Sequence, residues 1–403
     1  MSRRGIAIVG GGILGLACAV ELTHRRPRLA VELLEQEPTV GRHQSSHNSG
    51  VVHAGVYYAP GSLKARLCRE GARLMYELCE AEGIACRKVG KLIIATGPDE
   101  LERLDELERR ARANGVPGLR RLRHPSEIVA LEPAAAGAQA LHSPETGIVD
   151  YHQVCEALAR RFREAGGTIT TGARVERIEA RSDGLTLSHS AGTTVAARAL
   201  FCAGAWSDRL AVMAGSDPDP RIVPFRGAYL RLRPERGTLV RGLLYPVPDP
   251  ALPFLGVHVT RHIDGSVTIG PTALLSPALR AGPLRRVEPV TVARTLAWPG
   301  TARMAWRYRA AAAEELRHLC SRRALIAAAT RYLPSLEDDD LLGEGAGVRA
   351  QALARDGTLV DDFVFSETPR ALHVRNAPSP GATSSLAIAS YVVDRLEAIA
   401  TLA

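Results

Sequence analysis

Three glycines near the start of the chain, Gly10, Gly12 and Gly15, stand in the spacing G-x-G-x-x-G. Between a strand and a helix, the first glycine of that pattern permits a tight turn. The second lets the backbone approach a pyrophosphate, and the third lets the helix pack closely. The N-terminus of the helix then faces the anion. Glu35 follows 20 positions after Gly15. A carboxylate there can accept both ribose hydroxyls and disfavours a 2′-phosphate. These residues are read as a dinucleotide site.

A second stretch, residues 41–64, reads "GRHQSSHNSGVVHAGVYYAPGSLK". It is rich in histidine, serine and glycine and holds no acidic residue. Such a segment is conformationally permissive and friendly to anions.

The elements that must position these residues follow from periodicity. Residues 5–10, "GIAIVG", read as a short buried strand, 15–23 as its helix and 29–35 as a second strand, a βαβ unit. Residues 62–83 carry Leu63, Leu67, Leu74 and Leu78 on one helical face. Residues 90–96 read as a strand. Residues 99–114 read as a charged amphipathic helix closed by Asn114-Gly115. A helix is expected over 151–165, then two strands, and a further strand is expected within 194–208, ending at Ala203-Gly204. Between 222 and 272, short β-like runs alternate with turns, which describes an antiparallel sheet. Residues 290–331 are rich in Ala and Arg and read as helical, and a last helix is expected from about 385.

Composition narrows the class. The 403 residues carry a formal charge of +8, and only three of the 51 basic residues are lysines: Lys64, Lys88 and Lys91. The arginines are scattered among acids, so a nucleic-acid partner is not expected. Seven cysteines, none in CxxC, read as mostly buried thiols in a reducing compartment with no metal site. The basic and then apolar N-terminus resembles a secretion signal, but its four glycines suit a strand–helix turn better. No transmembrane segment is expected.

Both NAD and FAD use the glycine pattern. A return to the Gly/Ser/Thr-rich turn "NAPSPGATSS" (376–385) before the last helix, and a strand ending in "CAGAWSD", favour FAD. Six stretches carry a resemblance: "HQSSHNSGVVHAGVYYAPGSLKARLC", "HSPETGIVDY", "IVPFRGAYL", "YPVPDPALPFLGVHVT", "AGVRAQAL" and "NAPSPGATSSLAI". With them the chain resembles the L-2-hydroxyglutarate dehydrogenase/oxidase family, within the superfamily of D-amino-acid oxidase and glycerol-3-phosphate dehydrogenase. The fold this implies is α/β: a discontinuous Rossmann-like FAD-binding domain with a second α+β substrate domain built on a largely antiparallel sheet. The expected partition is 1–85, 146–220 and 334–403 for FAD, and 86–145 and 221–333 for substrate.

The resemblance also implies roles. FAD, expected to be non-covalent, would lie against Gly10, Gly12, Gly15, Glu35, Ser45, Ser46, Asn48, Ser49, Gly50, Val175, Ala203, Gly204, Gly381, Thr383, Ser384 and Ser385. His43, His47 and His53 keep covalent attachment open. "VVHAG" resembles the family element whose histidine sits by the flavin, which makes His53 the expected base, with His258 as its competitor. Arg349, in "AGVRAQ", resembles the arginine that grips a substrate carboxylate through its planar fork. Tyr58, Lys64, Arg226, Thr383 and Ser384 are candidates for a second carboxylate, and Gln351 for substrate or flavin. The implied reaction is oxidation of L-2-hydroxyglutarate to 2-oxoglutarate, with hydride passing to flavin N5. Oxygen or a membrane quinone is the expected electron acceptor. The expected location is cytoplasmic, with peripheral contact at the inner face of the membrane left open. Ala228, where Glu is expected, and the altered segment "GPTALLSPALRAG" keep a different 2-hydroxy acid or an amino acid as the alternative substrate.

Overall fold

The computed structural model describes residues 5–250, 255–280 and 286–399. Parts of two stretches quoted above, residues 251–254 and 281–282, lie outside the described residues.

The strand Ile6–Val9 is buried along its whole length, as an apolar run covered on both faces must be. It lies at the centre of a six-stranded sheet in the order Val364–Thr368, Ala371–Asn376, Arg198–Phe201, Ile6–Val9, Val31–Leu34, Thr168–Thr170. All pairings are parallel except the outermost one, Val364–Thr368 with Ala371–Asn376. The helix Ile13–Arg25 buries Leu16, Cys18 and Leu22 in one core with Leu158 and Phe162 of Tyr151–Glu164 and Val392, Val393 and Leu396 of Ser385–Ala398. The chain therefore opens this layer, leaves it, and completes it near its end.

Two glycines of the opening turn are fixed by geometry. Gly10 has φ +112°, and a Cβ on it would lie 2.3 Å from the Cys202 carbonyl oxygen. A Cβ on Gly15 would lie 1.9 Å from the Gly10 carbonyl oxygen, so the helix can approach the strand only without a side chain there.

The second layer is a nine-stranded sheet. Its longest pairing joins Arg221–Leu232 and Leu341–Leu353, antiparallel from Arg221↔Leu353 to Leu232↔Leu341. This sets Arg349 opposite Phe225 and Gln351 opposite Val223. The sheet is antiparallel apart from Leu243–Pro246, which runs parallel to Lys91–Ala95. Two three-stranded sheets complete the fold: a meander of Val175–Arg181, Gly184–His189 and Gly192–Ala196, and a small sheet of Val51–Val52, Gly147–Val149 and Cys86–Lys88.

Two expectations change, and a third gains detail. The strand Leu341–Leu353 belongs to the nine-stranded sheet, where it pairs with Arg221–Leu232, although residues 334–403 are expected in the FAD domain. The run 194–208 is not one strand. It breaks at Ala197, whose N–H donates to the Gly5 carbonyl, so Gly192–Ala196 stays in the meander while Arg198–Phe201 enters the six-stranded sheet. Residues 290–331 form four helices, Pro289–Leu296, Pro299–Arg307, Arg309–Cys320 and Arg322–Thr330. Pro289 and Pro299 sit at helix starts, where a missing N–H costs nothing.

Candidate active site

One cavity of about 860 Å³ runs from the opening glycine turn to the face of the nine-stranded sheet. That volume lies within the range of about 300–1,000 Å³ for ligand sites.

At its first end lie Gly10, Gly12, Glu35, Ser45, Asn48, Ser49, Val175, Ala203 and Gly204. Glu35 is only 7% exposed. One carboxylate oxygen accepts from the Gly11 N–H at 2.6 Å and the other from the Glu37 N–H at 2.8 Å. Burial raises its pKa, and these backbone donors oppose the rise. The Ile13 N–H, at the open end of the first helix, donates to Ser45 Oγ at 3.0 Å. Asn48 spans its own turn, giving Nδ2 to the Gln44 and Ser45 carbonyls and accepting from the Gly50 N–H. His43 is the single non-glycine residue with positive φ (+58°) among the described residues, and its Nε2 meets Glu37 at 2.9 Å.

In the middle, Thr383 ties two distant segments together. Its Oγ1 accepts from the His53 N–H at 3.1 Å, lies 3.2 Å from the Val51 carbonyl and 3.0 Å from the Tyr151 hydroxyl. The Tyr151 hydroxyl also donates to the Val51 carbonyl. The turn before the last helix thereby holds the backbone that carries His53.

At the far end, His53, Tyr57, Tyr58, Lys64, Tyr245, His258, Arg349 and Gln351 line the cavity. His258 Nδ1 donates to the Gly256 carbonyl at 2.9 Å, which leaves Nε2 with the lone pair. Its ring stacks on Tyr245 with centroids 4.1 Å apart. Burial, against the Gly256 hydrogen bond and with the charges of Arg349 and Lys91, lowers its pKa to about 3. His53 Nδ1 is buried with no hydrogen-bond partner. Burial, then Lys91, His258 and Lys64, hold His53 well below the usual histidine range. Both imidazoles are neutral at pH 7. Lys64 Nζ is 2.7 Å from Asp361 Oδ1 and 5.3 Å from the Tyr58 ring centre. Gln351 Nε2 donates to the Val360 carbonyl at 2.9 Å.

Six expected site residues do not line the cavity: Gly15, Ser46, Gly50, Arg226, Ser384 and Ser385. Gly15 serves helix packing. Ser46 Oγ donates to the Gly41 carbonyl and meets His152 Nδ1. Gly50 takes φ +67° to turn the chain into Val51–Val52. Ser384 and Ser385 are fully buried where the last helix begins. The sequence alone does not mark Tyr57, Tyr151, Tyr245 or Lys91 as site residues; only Tyr57 carries a signal, beside Tyr58 in the acid-free loop.

The chain was compared with known proteins. The family model described as FAD dependent oxidoreductase matches residues 5–395. The chain belongs to this family. It is an oxidoreductase whose cofactor is FAD. It is 43% identical to the human protein L-2-hydroxyglutarate dehydrogenase, mitochondrial, over 97% of this chain and 88% of that one. It is 39% identical to the L-2-hydroxyglutarate dehydrogenase of Escherichia coli K12, over 97% and 93%. Among solved structures, the dithionite-reduced L-alpha-glycerophosphate oxidase of Mycoplasma pneumoniae with FAD bound shares the fold with a TM-score of 0.78, at 24% identity and 98% and 95% coverage. Glycine oxidase from Geobacillus kaustophilus gives 0.72 at 23% identity, covering 100% and 96%.

The residues present fit FAD. Gly12 keeps the cavity wall free of a side chain beside Ser45, since a Cβ would sit 3.1 Å from Ser45 Oγ. Gly12 N-caps the first helix without a side-chain bond, and its first turn holds no acid. That suits the pyrophosphate of FAD. Gly381 and Thr383 line the same cavity, and Thr383 accepts from the His53 N–H. No helix among the described residues is long and apolar enough to cross a membrane.

Proposed function

We propose that this chain oxidises L-2-hydroxyglutarate to 2-oxoglutarate. The observation that carries the chemistry is the far end of the cavity, where two proton-free imidazoles meet the cationic side chains of Arg349 and Lys64. The full-length similarity to proteins named L-2-hydroxyglutarate dehydrogenase supports the choice of substrate.

FAD, when bound, takes up the α-hydrogen as hydride. The chain has three tasks. His53 takes the hydroxyl proton, its buried Nδ1 having no protein partner to compete. His258 is held in one tautomer by Gly256 and in one orientation by Tyr245. Arg349 grips the carboxylate next to the reacting carbon, and its planar fork sets angle as well as position. Lys64 anchors the second carboxylate. The substrate loses one hydride and one proton, which turns the alcohol into the ketone.

The sequence partition becomes a proposal with one change: residues 341–353 join the substrate part. The nucleotide end binds FAD through Gly10, Gly12, Glu35, Ser45, Asn48, Ser49, Val175, Ala203, Gly204, Gly381 and Thr383, without a covalent bond. Tyr58 and Gln351 flank the substrate. The second electron acceptor is oxygen or a membrane quinone, and a cytoplasmic position at the inner membrane face accords with the quinone. Ala228 is not a reason to change the substrate: it is buried, its N–H donates to Thr272 Oγ1, and it does not line the cavity.

The test is an anaerobic absorbance spectrum of the FAD-bound protein before and after each isomer of 2-hydroxyglutarate. Bleaching by the L-isomer alone is expected. A flavin band that neither isomer bleaches would refute the assignment of substrate.

A further inference from the structure

Lys91 begins a strand whose next four residues, Leu92, Ile93, Ile94 and Ala95, are all buried. Its own side chain is buried too, with 1% of the residue exposed. Its Nζ sits 4.9 Å from the centre of the Tyr57 ring and 4.6 Å from that of Tyr245. Both tyrosines line the cavity, and Tyr245 stacks on His258. Lys91 thus lies behind the wall that carries the candidate active site.

A buried ammonium needs a reason. Aromatic faces attract a cation, but they replace only part of the water it gives up. Among the described residues Lys91 forms no ion pair. From the helix Leu63–Glu82 it faces Cys68, whose thiol burial pushes up to about 12, so it carries no charge at neutral pH. A methionine would fill the same space without that desolvation cost.

We propose that Lys91 is a positioning residue of this active site, a buried charge behind the Tyr57–Tyr245 wall that adds to burial in keeping His53, and more weakly His258, free of protons as pH falls. The inference rests on reading the cavity as a hydroxy-acid-oxidising site. The charges facing the two rings are few. His53 faces Lys91, His258 and Lys64, while His258 faces Arg349 and Lys91. Lys91 acts on both. Burial lowers its own pKa to about 7. As pH falls through neutrality, the proton goes to Lys91 before either imidazole, and the charge it gains then disfavours protonation of both rings.

The sign for stability follows. The unfolded lysine holds its proton up to about pH 10.5, whereas the folded one gives it up above about 7. Stability is therefore lost as pH falls from 10.5 to about 7 and is constant below that. At pH 7 a neutral side chain of similar length avoids the loss, so K91M is expected to melt above the wild type there, with its rate reduced only on the acid side.

The experiment is histidine-ring NMR on the FAD-bound protein with labelled histidine, for wild type, K91M and K91R, with H53Q and H258Q giving the assignments. The titration midpoint of His53 is expected to rise by about one unit in K91M, that of His258 by less, and both to return in K91R. Midpoints unchanged in K91M would overturn the proposal and leave Lys91 a packing residue. Should K91M not fold, lysine-labelled wild type decides. The chain has only three lysines, and Lys91 must still hold its proton where the two rings titrate; a Lys91 midpoint below both ring midpoints would refute the idea. These readouts need no substrate, so failure of 2-hydroxyglutarate to bleach the flavin and failure of this proposal are separate results. Where the flavin does bleach, the acid limb of kcat/KM is expected to move upward by the same unit in K91M; an equal loss at every pH would count against it.

Discussion

The two ends of the cavity are built on opposite rules. At the nucleotide end the chain satisfies itself: Glu35 accepts two backbone N–H groups, Ser45 accepts from the first helix, and Asn48 closes its own turn. At the substrate end His258, Gln351 and Lys64 have partners, but other polar groups stay open or uncompensated. His53 Nδ1 and Tyr57 Oη are buried without partners, and Lys91 is a cation held by aromatic faces. A buried group left open raises the energy of the empty site, and a ligand that completes it recovers that energy. The first end is pre-shaped for a cofactor that stays, and the second is poised for a substrate that comes and goes.

This contrast can be broken by mutation. Substitutions at the substrate end are expected to cost the reaction far more than they cost the fold. The largest effect is expected for R349M, a loss of about 10³-fold in kcat/KM from the missing charge-assisted fork. R349K should recover only part of it, because an ammonium cannot reproduce the two parallel bonds. Next comes H53Q, with a drop of about 10²–10⁴-fold in the rate of flavin reduction and little change in FAD content, read by stopped-flow absorbance. H258Q should lose about tenfold; a reversal of these two magnitudes would exchange the roles of the histidines.

T383V joins the two ends and should show both kinds of damage. It removes the acceptor for the His53 N–H and is expected to cost about 1–3 kcal/mol of stability, read by denaturant unfolding, with a smaller loss of rate. The smallest catalytic effect is expected for E35Q, where FAD affinity falls about tenfold by equilibrium dialysis while the rate of the loaded enzyme is nearly unchanged. An E35Q enzyme that kept its FAD but reduced it slowly would mean that the two ends are not independent.

The nucleotide end was legible in the sequence because its demands are local. Gly10 and Gly15 sit where a side chain would meet backbone, so spacing alone reveals them. The return of the chain at 376–385 was legible from its turn residues. The substrate wall was not. Lys91 opens "KLIIA", which reads as an ordinary buried strand with a polar first residue. Only tertiary packing puts it behind Tyr57 and Tyr245. Tyr151 begins a helix in sequence and ends as a hydrogen-bond partner of Thr383, 232 positions away. Ser46, Ser384 and Ser385 have the right chemistry for a cofactor loop, but the local backbone turns them from the cavity. The break at Ala197 was hidden because no glycine or proline between Thr194 and Phe201 marks a turn. Likewise the strand Leu341–Leu353 carries no mark of which sheet will pair with it.

The central claim is that the base is a buried imidazole kept free of protons. Its most direct test is the pH dependence of wild-type flavin reduction by L-2-hydroxyglutarate in anaerobic stopped-flow. Because His53 and His258 are both lowered from 6.5, the rate is expected to stay level as pH falls through 6.5 and to decline only well below it. The same linkage predicts that each histidine withdraws stability at about 1.4 kcal/mol per pH unit below 6.5, continuing for His258 toward pH 3. A rate that halves at pH 6.5 or above would contradict the account, since the base would then be a group that the fold has not stripped of its proton.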